Sequence, residues 1–140
     1  MKNGVTLLFF YLGFAALGVS HAAAPAPANP PYEATISSDG VQHIQLDGGS
    51  YFFKPERVIV KVNVPVELTV RIEKGLVPHT LVIEAPQAGI SVDETLSSDA
   101  KNIRFTPTAI GNYPIYCKNK LLFLKSHREK GMEGMLEVVQ

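Results

Sequence analysis

Four side chains in the second half of the sequence could together bind a transition metal: His79, Cys117, His127 and Met132. The two sulfur groups favour copper, above all Cu(I), whereas imidazole nitrogens bind copper in both oxidation states. Two imidazoles and a thiolate in one plane, with a weakly bound axial methionine, form an electron-transfer copper site. The residue types therefore predict a mononuclear copper site, with one ion per chain.

The positions of His79 and Cys117 agree with this prediction. His79 precedes a predicted strand over 80–84, and Cys117 ends a predicted strand over 112–117. Each shares parity with the apolar residues of its own strand, so both side chains should point inward. They could then meet at one end of a β-sandwich. The alternatives for Cys117 are a small buried side chain without a metal and a nucleophile paired with His79.

His127 and Met132 lie between Cys117 and the predicted last strand, 134–139. A loop in this position could close over the same end of the sandwich and bring both side chains to the metal.

Other residues of the same types are weaker candidates. Met135 is the rival of Met132, although it falls inside the predicted last strand, where a methionine usually packs. His43 takes the polar parity of its strand and is expected to face solvent. His21 lies in a segment that we expect to be removed.

That segment, residues 1–22, has the features of a secretory signal peptide: a basic start, an apolar run of 15 residues and small residues at its end. Cleavage is expected after Ala22, with Ala24 as the second choice. The run is shorter than the roughly 20 residues of a membrane span. Alanine and proline then predict a semi-rigid tether over 23–31, followed by a folded domain over 32–140. We expect an exported protein, periplasmic for example, that is not transmembrane after cleavage.

The composition excludes some classes of function. Thirteen Lys and Arg residues balance 13 Asp and Glu residues, so the formal net charge is zero. This balance argues against nucleic-acid binding by phosphate neutralisation. The single Cys excludes an intramolecular disulfide. We expect a monomer.

Apolar and polar residues alternate in many short runs along the rest of the chain. Between 66 and 72, for example, every second residue is Val, Leu or Ile. Such runs predict half-buried β-strands, and glycines and prolines separate them. Seven or eight such strands predict an all-β fold, an antiparallel Greek-key β-sandwich. Helical periodicity is weak, and the best candidates for a helical turn are 92–100 and 120–128.

Three stretches resemble the cupredoxin family, the small blue-copper proteins that include plastocyanin, pseudoazurin and azurin. They are Pro-His-Thr-Leu-Val-Ile at 78–83, Phe-Thr-Pro with Gly-Asn-Tyr-Pro-Ile-Tyr-Cys within 105–117, and His-Arg-Glu-Lys-Gly-Met-Glu-Gly at 127–134. The resemblance covers most of 51–140. It implies a cupredoxin-like fold in which His79, Cys117 and His127 are the equatorial copper ligands. Met132 would be the axial ligand, because the axial methionine of the family precedes a similar pair of residues.

The sequence departs from the family pattern in two places. Thr80 follows the first ligand, where the family usually has an asparagine that ties the ligand loops together. Its hydroxyl could make a shorter version of this bond. Nine residues, 118–126, separate Cys117 from His127, which is longer than in the single-domain electron carriers of the family. The assignment of His127 therefore depends on the motif that follows it.

The long loop also combines apolar and basic residues. Its apolar centre, 121–124, is flanked by five bases: Lys118, Lys120, Lys125, Arg128 and Lys130. In one interpretation, the apolar residues fold back over the copper site and the bases are merely solvated. In the other, the loop docks onto an acidic redox partner or an anionic membrane.

These observations favour an electron carrier that works between larger redox proteins outside the cytoplasm, with no enzymatic activity of its own. The leading alternative is a copper-handling or resistance protein that binds or oxidises Cu(I) at the same site. A copper enzyme with an open coordination position and a metal-free interaction module are two further hypotheses.

Overall fold

A computed structural model describes residues 29–140 of the chain. The predicted signal peptide, 1–22, and most of the predicted tether, 23–31, lie outside the described residues. Within 29–140, no helix is long and apolar enough to cross a membrane.

The described residues form an all-β sandwich of ten strands and two short 3-10 turns. The strands are β1 Tyr32–Glu33, β2 Gln42–Gly49, β3 Phe52–Lys54, β4 Arg57–Lys61, β5 Val66–Ile72, β6 His79–Ala85, β7 Ile90–Leu96, β8 Lys101–Phe105, β9 Gly111–Tyr116 and β10 Glu133–Val139. Seven or eight strands were expected from the sequence. The additional ones include β1 and β3, which have two and three residues and are too short to show an alternation.

The ten strands divide into two mixed sheets. One sheet has the order β1-β4-β10-β9-β6-β7, and the other has the order β3-β2-β5-β8. The expectation of a purely antiparallel sandwich is wrong, because β4 pairs in parallel with β1 and β10, and β2 pairs in parallel with β5. Alternation reveals which face of a strand is buried, but it does not reveal the direction of the neighbouring strand.

Both expected helical turns are also wrong. Residues 92–100 contain most of β7, in which Ile90, Val92 and Leu96 are buried and the strand pairs with β6. Residues 120–128 form an open loop that meets a 3-10 turn only at its last residue, since that turn spans Arg128–Lys130.

The core lies between the two sheets. Its largest fully buried side chains include Leu46 and Leu68 from one sheet and Leu81, Ile83 and Leu136 from the other. Each such side chain stabilises the fold by about 1.5–3 kcal/mol relative to an exposed position. The packed core therefore holds the two sheets in a fixed relation.

Three strand termini meet at one end of the sandwich. The strands β6 and β9 are antiparallel, with Val82 opposite Tyr116, and β9 and β10 are antiparallel, with Tyr116 opposite Glu133. The start of β6, the end of β9 and the start of β10 therefore lie side by side. We call this end of the sandwich, marked by His79, Tyr116 and Glu133, the ligand end.

Candidate metal centre

The four predicted ligands converge at the ligand end. The Nδ1 atoms of His79 and His127 lie 3.2 Å apart. Cys117 Sγ lies 3.4 Å from His127 Nδ1, and Met132 Sδ lies 3.0 Å from His79 Nδ1. The ligand atoms of the two histidines and the cysteine are all within 4.8 Å of one another. The structure thus brings together all four side chains that the sequence singled out.

The donor set fits a copper ion. Bonds of about 2.0–2.3 Å from a metal to nitrogen and sulfur place ligands of one trigonal plane roughly 3.5–4 Å apart. His127 Nδ1 lies 3.2 Å from His79 Nδ1 and 3.4 Å from Cys117 Sγ, and all three donor atoms are within 4.8 Å of one another, so a small adjustment admits an ion between them. Two imidazole nitrogens with one thiolate and one thioether are a combination that copper accepts in both oxidation states.

The cluster is shielded from water, which sets the protonation of its histidines. Cys117 and Met132 are completely buried, and His127 and His79 are only 3% and 7% exposed. Burial lowers the pKa of both imidazoles; His127 lowers that of His79 further, and Lys130 lowers that of His127. Both rings are therefore neutral at neutral pH, with a nitrogen lone pair free to bind a metal.

The strand ends determine where His79 and Cys117 lie. His79 is the first residue of β6, and Cys117 directly follows the last residue of β9. The backbone N–H of Thr80 donates to Cys117 Sγ over 3.4 Å. This hydrogen bond holds the sulfur of Cys117 beside the start of β6.

A backbone hydrogen bond explains how the long loop still delivers His127. The N–H of His127 donates to the carbonyl of Asn119 over 2.8 Å. This bond closes the base of the loop. The two ends of the segment 120–126 are therefore held next to each other. The length of the segment between Cys117 and His127 is therefore accommodated away from the metal centre.

Two more backbone hydrogen bonds place Met132. Its N–H donates to the carbonyl of His127 over 2.9 Å, and its carbonyl accepts from the N–H of Cys117 over 3.1 Å. Gly131 precedes it with a φ of +102°, a left-handed conformation that favours glycine. The turn aims the thioether of Met132 at His79.

Met135 occupies a different environment. It lies within β10, opposite Pro114 of β9 and Arg57 of β4. It alternates with Leu136, which is completely buried, so its side chain lies on the outer face of the sheet. The thioether beside the two imidazoles is that of Met132.

The hydroxyl of Thr80 connects the two ligand segments. It accepts a hydrogen bond from the N–H of Lys118 over 3.1 Å and donates one to Asn119 Oδ1 over 2.8 Å. Asn119 Oδ1 also lies 3.5 Å from Cys117 Sγ. Thr80 could be identified from the sequence, but Asn119 could not, because its only signal was an amide two residues after the cysteine.

Tyr51 is a second residue of the site that the sequence did not single out. Its ring meets that of His127 edge to face, with centroids 5.1 Å apart. Lys130 Nζ lies 4.5 Å from the centroid of the same ring and donates to the Tyr51 hydroxyl over 3.0 Å. Tyr51 therefore covers the outer side of His127 and restricts its rotation.

Three of the five bases of the loop are engaged with their own chain. Lys118 forms a salt bridge with Asp93, and Arg128 forms one with Glu133. Lys130 is held by Tyr51. Within residues 29–140, Lys120 and Lys125 form no salt bridge.

The interpretation in which 121–124 fold back over the copper site is wrong. Leu121, Leu122, Phe123 and Leu124 are 60%, 78%, 90% and 45% exposed. The buried donors are instead covered by the strand ends, by Tyr51 and by the base of the loop. His43 faces solvent as expected and hydrogen-bonds to Asp39 over 2.8 Å.

No protein-family model matches the chain, and no curated protein matches it. Solved structures do. The metal-binding domain of the Cu(I)-exporting P-type ATPase CopA of Streptococcus pneumoniae D39 is 20% identical, with a TM-score of 0.58 over 79% of this chain and 97% of that domain. Reduced auracyanin from the photosynthetic bacterium Roseiflexus castenholzii is 18% identical, with a TM-score of 0.53 over 70% of this chain and 97% of its own.

A chain of a heme-copper terminal oxidase dimer is also similar, at 15% identity and a TM-score of 0.56, over 81% of this chain and 76% of that chain. At such low identities, the similarity concerns the fold. The described residues adopt the cupredoxin-like fold, and the cluster of His79, Cys117 and His127 at its ligand end fits a type 1 copper site.

Proposed function

We propose that this chain is an exported protein that binds one copper ion through His79, Cys117, His127 and Met132 and carries single electrons between redox partners. The observation that supports the proposal most directly is the convergence of four donor atoms in a buried cluster. Copper, when bound there, supplies a one-electron redox couple.

The residues around the donors favour a site of constant shape. Backbone N–H groups from Thr80, His127 and Met132 fix the ligand segments, and backbone geometry does not depend on the charge of the metal. Ligands that stay in place suit both oxidation states, so electron transfer needs little rearrangement.

The site lies close to the molecular surface at the ligand end. His79 borders a surface cleft of ≈ 360 Å³, together with the loop 73–78 and Ser97. A redox partner that approaches this end comes within a short distance of one ligand, while the surrounding strands exclude water from the cluster.

Export is the other part of the proposal. Residues 1–22 act as a signal peptide, 23–31 as a tether and 32–140 as the folded copper domain, which is a monomer. We expect the exported protein to begin at Ala23, or at Pro25 as the second choice, when its N-terminus is sequenced.

Anaerobic copper loading tests the central proposal. The protein should take up one copper per chain and show an intense visible thiolate band, a type 1 EPR signal and a reversible potential. Cys117→Ser should lose the thiolate band and the potential, because it removes the thiolate. His43→Gln is the matched control, since it removes an exposed histidine outside the cluster, and it should leave the spectrum unchanged. Equal copper content and equal spectra in the native protein and Cys117→Ser would contradict the proposal.

A copper-handling role is the second candidate, and the observation that favours it is that two of the four donors are sulfur. Sulfur favours Cu(I), so the same site could hold Cu(I) in transit. Loss of copper tolerance after deletion of the gene, with no effect on respiration or on other electron transfer, would favour this role over the carrier.

A further inference from the structure

Four consecutive apolar side chains project from the ligand end into solvent. We call residues 121–124 the apolar tip. Its exposed fractions rise to 78% at Leu122 and 90% at Phe123. The N–H of Leu124 donates to the carbonyl of Leu121 over 3.0 Å, so the tip is a defined turn in which the chain reverses.

The tip does not contribute to the packing of the fold. Leu122 has a φ of +48°, a left-handed conformation that is unfavourable for a residue with a branched side chain. Its side chain gains no burial in return. Exposed apolar side chains that are contiguous in this way are typical of a surface that binds another molecule.

Positive charge borders the tip on both sides. Lys120 and Lys125 flank it directly, and neither has a salt-bridge partner among residues 29–140. The segment 118–130 holds five bases and one acid, a net charge of +4. That acid, Glu129, is hydrogen-bonded to the N–H and hydroxyl of Ser126. Its carboxylate also lies near enough to Lys120 and Lys125 for their charges to lower its pKa. Lys118 and Arg128 are paired with Asp93 and Glu133, so a smaller excess of positive charge is left to attract an anionic surface.

We propose that the apolar tip inserts into an anionic lipid surface, with Lys120 and Lys125 among the headgroups. Leucine and phenylalanine enter the boundary of the acyl chains in this mode of binding, and lysines next to them interact with acidic headgroups. The long lysine side chains can reach the headgroup layer while their stems stay near the apolar region.

The shape of the surface favours lipid over a protein partner. The apolar residues form the tip of a projecting loop rather than a flat patch or a groove that a second protein could cover. Leu76, on the loop just before β6, is fully exposed at the same end of the molecule. A fluid lipid surface can accommodate two separate apolar projections without matching their shape.

The tip is structurally separate from the metal centre. The hydrogen bond between His127 and Asn119 closes the loop before the tip begins. Lipid binding by the tip is therefore independent of the proposed copper function, and either one can fail without the other.

A tryptophan reporter tests insertion directly, because the chain has no Trp of its own. Phe123→Trp places the reporter in the tip. Ile110→Trp is the matched control, since Ile110 is 53% exposed and precedes β9 at the opposite end of the sandwich. With vesicles that contain phosphatidylglycerol, Phe123→Trp emission should shift to the blue and be quenched by brominated lipid. Ile110→Trp should show neither change, and phosphatidylcholine vesicles should have little effect on either variant.

Substitutions then test the two components of binding in the copper-loaded exported protein. Leu122→Asp with Phe123→Asp should abolish binding to the anionic vesicles, whereas Ile110→Asp should not weaken it. Lys120→Gln and Lys125→Gln should each lower the partition coefficient roughly fivefold. Lys61→Gln, at the opposite end, should leave it unchanged. Far-UV circular dichroism reports whether each variant has kept its β-sandwich fold.

The local reporter separates the tip from any lipid contact of the N-terminal segment. Vesicle binding without a blue shift of Phe123→Trp would overturn the proposal, because the tip would not be inserted. A blue shift with a soluble redox protein but not with vesicles would also overturn it, and would identify the tip as a protein-docking surface.

Discussion

The sulfur of Met132 lies 3.0 Å from His79 Nδ1, whereas Met135 lies on the outer face of β10. Only Met132 is therefore placed to act as a weak axial ligand. Met132→Leu should raise the reduction potential and change the visible spectrum, while Met135→Leu should change neither. Each swap nearly conserves volume and should cost less than about 1.5 kcal/mol of stability. Spectroelectrochemistry of the two variants checks this, and an equal change of potential in both would argue against the assignment.

At the residue scale, the sequence was enough to predict which side chains converge in one cluster. His79 and Cys117 both showed inward parity at strand ends, and the structure places them in one cluster. Tyr51 and Asn119 could not be predicted in the same way. Their contacts with the cluster depend on how separate loops approach each other in space. The alternation of apolar and polar residues in the sequence carries no information about this.

At the element scale, a titratable pair joins Asp39, in the turn before β2, to His43, near the start of β2. His43 Nε2 lies 2.8 Å from Asp39 Oδ2, and His43 Nδ1 lies 3.4 Å from Glu67 of β5, which also pairs with Arg104 of β8. The hydrogen bond to Asp39 raises the pKa of His43 above 6.5, and the same bond lowers the pKa of Asp39 below 3.8.

These two shifts define a pH window. The stability that the protein gains from the raised pKa of His43 is fully present below pH 6.5, and it is lost as the pH rises through the higher folded-state pKa. The stability that the protein gains from the lowered pKa of Asp39 is present above pH 3.8, and it is lost as the pH falls through the lower folded-state pKa. The difference in unfolding midpoint between the native protein and His43→Gln should therefore be largest near about pH 5–6 and should shrink towards pH 9. If the difference in unfolding midpoint stays constant over this pH range, the pair of His43 and Asp39 does not contribute to stability.

The strands illustrate what an alternating pattern can and cannot predict. In β5, the buried residues Val66, Leu68 and Val70 follow the expected alternation. The parallel pairing of β5 with β2 was missed, because either orientation of the neighbour buries the same face. Residues 92–100 were expected to contain a helical turn, but pairing with β6 makes most of them a strand.

At the scale of the whole molecule, the proposed ligands come from distant parts of the chain. His79 and Met132 are 53 residues apart in sequence, and only the folded sandwich brings them together. Copper should therefore bind the folded state far more tightly than the unfolded chain. At a free copper concentration about 100 times the Kd, folding gains about 2.7 kcal/mol.

In a domain of this size, that gain corresponds to a rise of about 10 °C in Tm. Thermal unfolding of the native protein with and without copper measures the rise, and Cys117→Ser should largely lose it. A rise of the same size in Cys117→Ser would place the stabilising copper elsewhere.

The sandwich itself was predictable because most of its strands have one apolar face. The arrangement of the apolar tip was not, because exposure of a loop depends on what the rest of the molecule leaves uncovered.

The bond between Asn119 and His127 has a consequence for how such a protein can diversify. Residues 120–126 can be exchanged for a segment of another length or character without redesigning the candidate metal centre. Natural variation or grafting at this position could therefore redirect the same domain to a different cellular destination.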